Sequence, residues 1–353
     1  MRRLTTAGLM LVVVLAAGRS PAWVQQEPAP QVESAPPIAP APPAESVLLR
    51  LKFKPNETMR YRIYAEAEGQ MRTDLLMPAA GAGMPGEIPI HMVVQGEGVA
   101  KVLGVDAAGG ARLRMRADNL SLKMELMGQR MEMSVKGGKC EFKHNDQQVE
   151  GGKLPPMLGK MRIPLLQDPI EIKLGPRGEV LDLAIPGISD LAAMVPGMSM
   201  RDMMKDQMLL PEEPLTVGQL LEESRSEPLP GTQALATTSV KMMLKSIETW
   251  SGGRKIANLR VESVTSAHDV DLGAAARATG AAGGAPPVSG TMSMDQQLAG
   301  NMQFDATRGM MMRFDFQLSQ QMSMSSSFDV PNQGPQTMNR DLQLSINGAV
   351  AKV

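Results

Sequence analysis

Five Met-x-Met pairs are the residues whose type and spacing could do chemistry: Met131/Met133, Met198/Met200, Met292/Met294, Met310/Met312 and Met322/Met324. Thioethers are soft ligands that select Cu(I), and Met292, Met294, Met310 and Met312 form the candidate ligand set. The competing reading is packing. Alternation along a strand produces Met-x-Met wherever methionine is the preferred core residue, and these methionines share their phase with Phe314, Phe316 and Leu318. Phase therefore favours core over copper. No other cofactor is expected.

The remaining reactive residues are few. His91, His144 and His268 have no nucleophile motif beside them. Cys140 follows Gly137-Gly138 as an inert thiol at a strand start. One cysteine excludes a disulfide framework and any zinc site built on several cysteines. No phosphate-cradling glycine loop occurs. The chain reads as a non-enzyme. Its 36 basic and 37 acidic residues leave a net charge of −1, which gives no electrostatic case for nucleic acid.

The elements that must position these side chains are strands. Between Thr291 and Ser325 the even positions carry Met292, Met294, Leu298, Met302, Phe304, Met310, Met312, Phe314, Phe316, Leu318, Met322 and Met324. The odd positions are almost all polar, a period of two that keeps the apolar set on one face of an antiparallel sheet. Even-numbered side chains should therefore be buried, and Met312→Ala or Phe314→Ala should each cost roughly 2–5 kcal/mol. Met59, Tyr61, Ile63, Ala65 and Ala67 alternate in the same way.

Turn chemistry sets expected registers. Gly128-Gln129 fits a two-residue hairpin loop that places Leu126 opposite Met131 and Glu125 opposite Glu132. Asp305 to Gly309 fits a five-residue loop that places Phe304 opposite Met310 and Met302 opposite Met312. Further turns are expected at Asp106 to Gly110 and at Ser251-Gly252-Gly253. Strands of this length favour a large twisted antiparallel sheet or half-barrel. The fold class is mainly β. One segment, 186–211, changes to helical spacing. Met200, Met203, Met204 and Met208 fall on one face behind Ser199, so a short helical lid is expected there.

The chain organises around that domain. Residues 1–22 read as a signal peptide: a basic start, an apolar run too short to span a bilayer, and small residues for cleavage after Gly18 or Ala22. No cysteine follows the run, so the protein is not expected to be a lipoprotein. A secreted or periplasmic location follows, with no transmembrane span once the signal is removed. Residues 23–46 form a proline-rich disordered tether within a stretch, Pro21 to Ser46, that holds 8 prolines in 26 residues. The β-rich domain is 47–353, readable as one unit or as lobes 47–185 and 212–353 joined by 186–211. Met77 to Pro89 and Gly273 to Ala285 are low-complexity loops.

Three motifs carry a resemblance: Leu51-Lys52-Phe53-Lys54-Pro55-Asn56-Glu57, the run from Ile172 to Leu181, and the run from Leu210 to Gly218. Together they resemble an uncharacterised family of secreted bacterial Met-rich β-domain proteins, which implies the fold but no activity. Strands under a lid are also similar, at fold level, to the half-barrels of periplasmic lipoprotein carriers.

A methionine-rich face accommodates varied apolar partners, so an apolar small molecule or lipid is the expected ligand. A structural or adhesive envelope module is the alternative, and Cu(I) binding the third reading. The candidate pocket takes Met71 opposite Gly96 and Gly69 opposite Gly98, a floor of small residues under Met200, Met203 and Met204.

Overall fold

The computed structural model describes residues 45–75, 86–126, 128–136, 139–148, 169–184, 209–228, 234–274, 289–330 and 334–353. Strands make up 79% of these. In chain order they are β1 (Ser46–Val47), β2 (Thr58–Leu75), β3 (Glu87–Val105), β4 (Ala111–Leu126), β5 (Gln129–Lys136), β6 (Lys139–His144), β7 (Gln147–Gln148), β8 (Ile170–Leu174) and β9 (Val180–Ala184). They continue as β10 (Leu215–Thr216), β11 (Leu220–Pro228), β12 (Leu235–Trp250), β13 (Arg254–Asp271), β14 (Ser289–Asp305), β15 (Met310–Val330) and β16 (Gly334–Lys352). Described helix is confined to a 3-10 turn at Ser251–Gly253 and to residues 272–274. The expected signal peptide and nearly all of the tether and helical lid lie outside the described residues.

Fourteen strands form one antiparallel sheet, twelve of them in the order β11-β12-β13-β14-β15-β16-β2-β3-β4-β5-β6-β7, with β8 paired to β4 and β9 paired to β8 off this path. It forks at β4, where residues 119–126 pair with β5 and residues 111–115 pair with β8. The stretches 47–185 and 212–353 supply its two flanks and meet at the seam between β16 and β2. The sheet is open rather than closed into a barrel. Bulges interrupt it between Glu97/Gly98, Val102/Gly104, Leu244/Ser246, Ala267/Val270 and Gln303/Phe304. Each adds local twist and bend. Same-face residues from β12 (Met242, Leu244) to β6 (Phe142) belong to one buried cluster. This cluster, continuous through the intervening strands, marks the inner face of the sheet.

Alternation fixes the inner face in every long strand. Ala65 and Ala67, Met92 and Val94, Leu259 and Val261, Leu298, Phe314, Leu318 and Ile346 are buried, and their odd-numbered or even-numbered partners are not. Glycine and phenylalanine interlock in the centre of this face. A Cβ on Gly300 would lie 2.6 Å from the Phe314 ring, and one on Gly348 would lie 2.4 Å from the Phe316 ring. The two rings stack at 5.6 Å.

One end of the sheet is closed by segments outside it. The three motifs behind the family resemblance meet there. Leu51 N–H donates to Pro176 O at 2.7 Å, Lys52 N–H to Gly309 O at 2.9 Å and Leu210 N–H to Arg177 O at 2.9 Å. Arg177 pairs with Glu212, and Arg50 donates to the carbonyls of Pro211 and Glu212. β1 and β10 pair with each other, and Val47, Leu49, Leu210 and Leu215 enter the main core from this end.

Three expected registers are corrected, the β4–β5 and β2–β3 pairings for one reason and the β14–β15 pairing by a bulge. A slip by an even number of residues keeps every side chain on its own face, so alternation alone cannot detect it. In the β4–β5 hairpin Leu126 faces Gln129 and Met124 faces Met131, so Gln129 belongs to the ladder and not to the loop. That slip separates Glu125 from Glu132. Glu125 now faces Arg130, with Nε 3.6 Å from Oε2, and Glu132 faces Lys123 and lies 3.7 Å from Lys143. In the β14–β15 hairpin Met310 faces Asp305, Phe304 faces Met311 and Met302 faces Phe314, so Met312 is the extra residue of a bulge. In the β2–β3 hairpin Met71 faces Ile88, Gly69 faces Ile90, Ile63 faces Gly96 and Tyr61 faces Gly98.

Candidate functional site

The register assembles the inner face into transverse rows. Nearest the closed end, one row runs Ile63–Val350–Phe314–Met302–Leu259–Leu244 from β2 through β16, β15, β14 and β13 to β12. Further along, another runs Gly69–Leu344–Gln320–Gln296–Thr265–Thr238. Beyond that polar row lie Met71–Leu342–Met322–Met294–Ala267, and then Thr73–Arg340–Met324–Met292–Val270.

Burial changes across these rows. Phe314 and Leu298 are 0% exposed on the closed side, whereas Met71, Met294, Met322, Met324 and Arg340 are only half-buried on the other. The polar row marks the boundary. Thr238 Oγ1 and Thr265 Oγ1 lie 2.9 Å apart, and Gln320 Nε2 donates to Met294 Sδ at 3.6 Å. One row deeper, the buried Ser263 hydroxyl has no hydrogen-bond partner.

Arg340 is the one charge within these rows. Burial holds its guanidinium below the usual arginine value. The other half-buried arginines are all engaged. Arg50 donates to backbone carbonyls, Arg177 to Leu210 O and Glu212, Arg225 to Glu223, Arg254 to Asp305 and Arg260 to Glu262. Arg340 makes no such contact among the described residues.

The candidate residues from the sequence do not converge as expected. Met71 sits on the half-buried rows, but Gly96 lies eight residues along β3 from Met71's partner Ile88, roughly 27 Å at ~3.4 Å per residue. Gly96 and Gly98 instead face the large side chains Ile63 and Tyr61, so no hollow of small residues forms. Met200, Met203 and Met204 lie outside the described residues. The copper set also separates. Met310 faces Asp305, thirteen residues along β14 from Met292 and roughly 44 Å away. Lys352 Nζ lies 2.7 Å from Met310 Sδ and Arg254 Nη2 lies 4.0 Å from Met312 Sδ, an electropositive setting for a cuprous ion. The pairing that does form is Met292 with Met324 and Met294 with Met322, and it lies beside the cation of Arg340.

The histidines sit at the surface with polar partners: His91 at 3.2 Å from Glu66, His144 at 3.4 Å from Gln129 and His268 at 3.4 Å from Asp295. The backbone of Cys140 pairs with Val135. Glu66, Glu68 and His91 bring three potential ligand atoms within 4.8 Å of one another on the outer face. Hydrogen bonds from His91 and Tyr64 hold the Glu66 carboxyl below its usual range. These bonds account for the cluster without an ion.

Sequence reasoning missed Arg340 and the polar row, although both were visible as Arg340, Gln296 and Gln320 standing in the apolar phase of their strands. No described helix is long and apolar enough to cross a membrane. No family model matches the chain, and no curated protein matches it. Among solved structures the chain is similar to OpdQ of Pseudomonas aeruginosa at 6% identity and a TM-score of 0.16, covering 83% of this chain and 99% of that one. It is similar to OpdK of the same organism, solved with vanillate, at 7% identity and a TM-score of 0.16, covering 82% and 98%. A BenF-like porin from Pseudomonas fluorescens gives 6% identity and a TM-score of 0.16, covering 83% and 99%. Scores this low carry no argument about fold or function.

Proposed function

We propose that this is a non-catalytic, secreted or periplasmic β protein that shelters an apolar small molecule or lipid against the methionine-rich half of its inner face. The observation that carries the reading is the burial gradient. Phe314, Leu298, Leu318 and Ile346 are fully buried towards the closed end, while Met71, Met294, Met322 and Met324, interspersed with the buried Met292 and Leu342, are only half-buried on the same face. Half-buried methionines on an otherwise buried face are where an apolar ligand gains most from leaving water. Methionine suits that position because its unbranched, polarizable side chain re-packs around different shapes.

The test is extraction of the purified full chain with organic solvent, followed by mass spectrometry, and titration of the extracted protein with N-phenylnaphthylamine. A co-purified lipid, or dye fluorescence lost on Met322→Asp with the melting point kept, supports the reading. A clean extract with no dye binding overturns it in favour of a structural or adhesive module. Stoichiometric Cu(I) uptake lost on Met294→Leu would overturn it in favour of thioether ligation.

A further inference from the structure

We propose that Arg340 anchors the head group of a single-chain anionic amphiphile, carboxylate or phosphate, whose tail lies along the half-buried methionine rows. This rests on the apolar-ligand reading and names the class of ligand it takes.

Arg340 lies on β16 in the apolar phase set by Met338, Leu342, Leu344 and Ile346. Its cross-strand neighbours are Thr73 and Met324, neither of them anionic. Removing a guanidinium from water costs free energy unless a carboxylate, phosphate or set of carbonyls replaces the lost hydration. Every other half-buried arginine among the described residues has such a partner, and Arg254 shows the local solution, a two-nitrogen contact with Asp305 at 2.8 and 2.6 Å. The vacant fork of Arg340 fits the same chemistry supplied by a ligand, because planar guanidinium pairs carboxylate and phosphate oxygens two at a time.

The tail has a defined path. From the Arg340 row the inner face runs inward past Leu342, Met322 and Met294 to the polar row at Gln320 and Gln296, about four residues or ~14 Å of strand. Charge at the outer end and methionine along the length match an amphiphile with an anionic head group and an apolar tail. They do not match a neutral hydrocarbon, which would leave the arginine unpaired. They do not match a cuprous ion, which the same charge would repel.

The experiment titrates the extracted full chain, below the micelle concentration of each probe, with oleate, oleyl phosphate and oleyl alcohol. Oleate and oleyl phosphate are expected to bind at least about tenfold tighter than the alcohol, the worth of a charge-assisted pair. A preference confined to one of the two anions identifies that head group. Arg340→Gln should erase the preference and leave alcohol affinity unchanged, while Arg340→Lys should retain part of it. Without ligand, Arg340→Gln should melt no lower than the parent, since it removes an unpaired charge. Equal affinity for all three probes in the parent, or a preference that survives in Arg340→Gln, overturns the role of Arg340 and leaves the apolar reading standing. Failure of all three probes to bind overturns the apolar reading itself.

Discussion

Truncating Phe314 and Met312 separately tests whether the bulge in β15 sits where the structure places it. Alternation alone gives both residues the same phase and the same expected loss. The register makes them different. Phe314 is 0% exposed, stacks on Phe316 at 5.6 Å and fills the space above Gly300, where a Cβ would lie 2.6 Å from its ring. Phe314→Ala removes the ring from both contacts and leaves a hole that the backbone at Gly300 cannot refill, so the loss should be about 3–5 kcal/mol. Met312 is the extra residue of the bulge, half-buried beside Arg254. Only part of its transfer term is at stake, so Met312→Ala should cost no more than about 1 kcal/mol. In thermal melts the first corresponds to a drop of roughly 6–20 °C and the second to a few degrees at most. Urea titrations with unchanged slopes give the free energies directly. Equal losses at the two positions would refute the bulge, and a loss below about 1.5 kcal/mol at Phe314 would refute the assignment of this face as core.

Other substitutions test the remaining structure. Asp305 is 0% exposed and is held by Arg254 and by the Arg308 N–H at 2.9 Å, so Asp305→Ala should lose about 3–5 kcal/mol in urea titration by leaving the guanidinium unpaired. Burial, and then Glu57, push the Tyr61 phenol up from 10.0 to about 12. The folded state therefore keeps that proton to higher pH than the unfolded chain. The contribution is complete below pH 10 and is lost as pH rises through about 12, and Tyr61→Phe should remove roughly 2–3 kcal/mol of this alkaline dependence in melts taken across the window. Gly96 has φ +153° with the Asn119 carbonyl oxygen 2.0 Å from where a Cβ would be, whereas the nearest atoms to a Cβ at Gly98 are at 3.7 Å. Gly96→Ala should cost about 1–3 kcal/mol and Gly98→Ala less than about 0.5 kcal/mol, compared by melting point.

Strand existence, strand face and the approximate place of the described turns were legible because each is a local property of the chain. The turns at Asp106 to Gly110 and Ser251 to Gly253 fall where Gly and Asp place them, and the inner face of β14 and β15 follows the even positions through Leu298, Met302, Phe314 and Leu318. Register was not legible, since slips of two at Gly128 and eight at Met71 preserve the face and differ only in which side chains meet. The mispaired Glu125 and Glu132 were nonetheless a signal. Moving the register by two turns that repulsion into pairing with Arg130 and Lys143, so cross-strand charge resolves what apolar phase leaves open. The closed end was illegible for a different reason. Leu51, Pro176 and Leu210 are far apart in sequence and are joined largely through backbone groups, as donors or as the carbonyls that Arg50 and Arg177 reach, and backbone partners leave no trace in residue type.

The edges of the sheet point to the same place as its rows. An open sheet exposes unpaired backbone groups on its outer strands, and these invite association unless blunted. Here β7 has two residues, and β11 carries Glu222, Glu223, Arg225 and Glu227 before ending at Pro228. Short length, charge and proline each discourage edge-to-edge pairing. The outer face of the long strands is likewise polar, laced by pairs such as Arg60–Asp118 and Arg313–Asp315, which contribute little stability but keep the surface hydrated. Edges and outer face are thus set against association. The inner face differs, because past Gln296 and Gln320 β14, β15 and β16 continue for several residues in which buried Met292, Leu342 and Met338 alternate with half-buried Met294, Met322 and Met324 and with Arg340, which has no partner among the described residues. Strands that ended at the polar row would have left a smaller and fully packed core. Their extension creates apolar surface that the sheet's own packing leaves incompletely covered, and recognition is best sought on that extension.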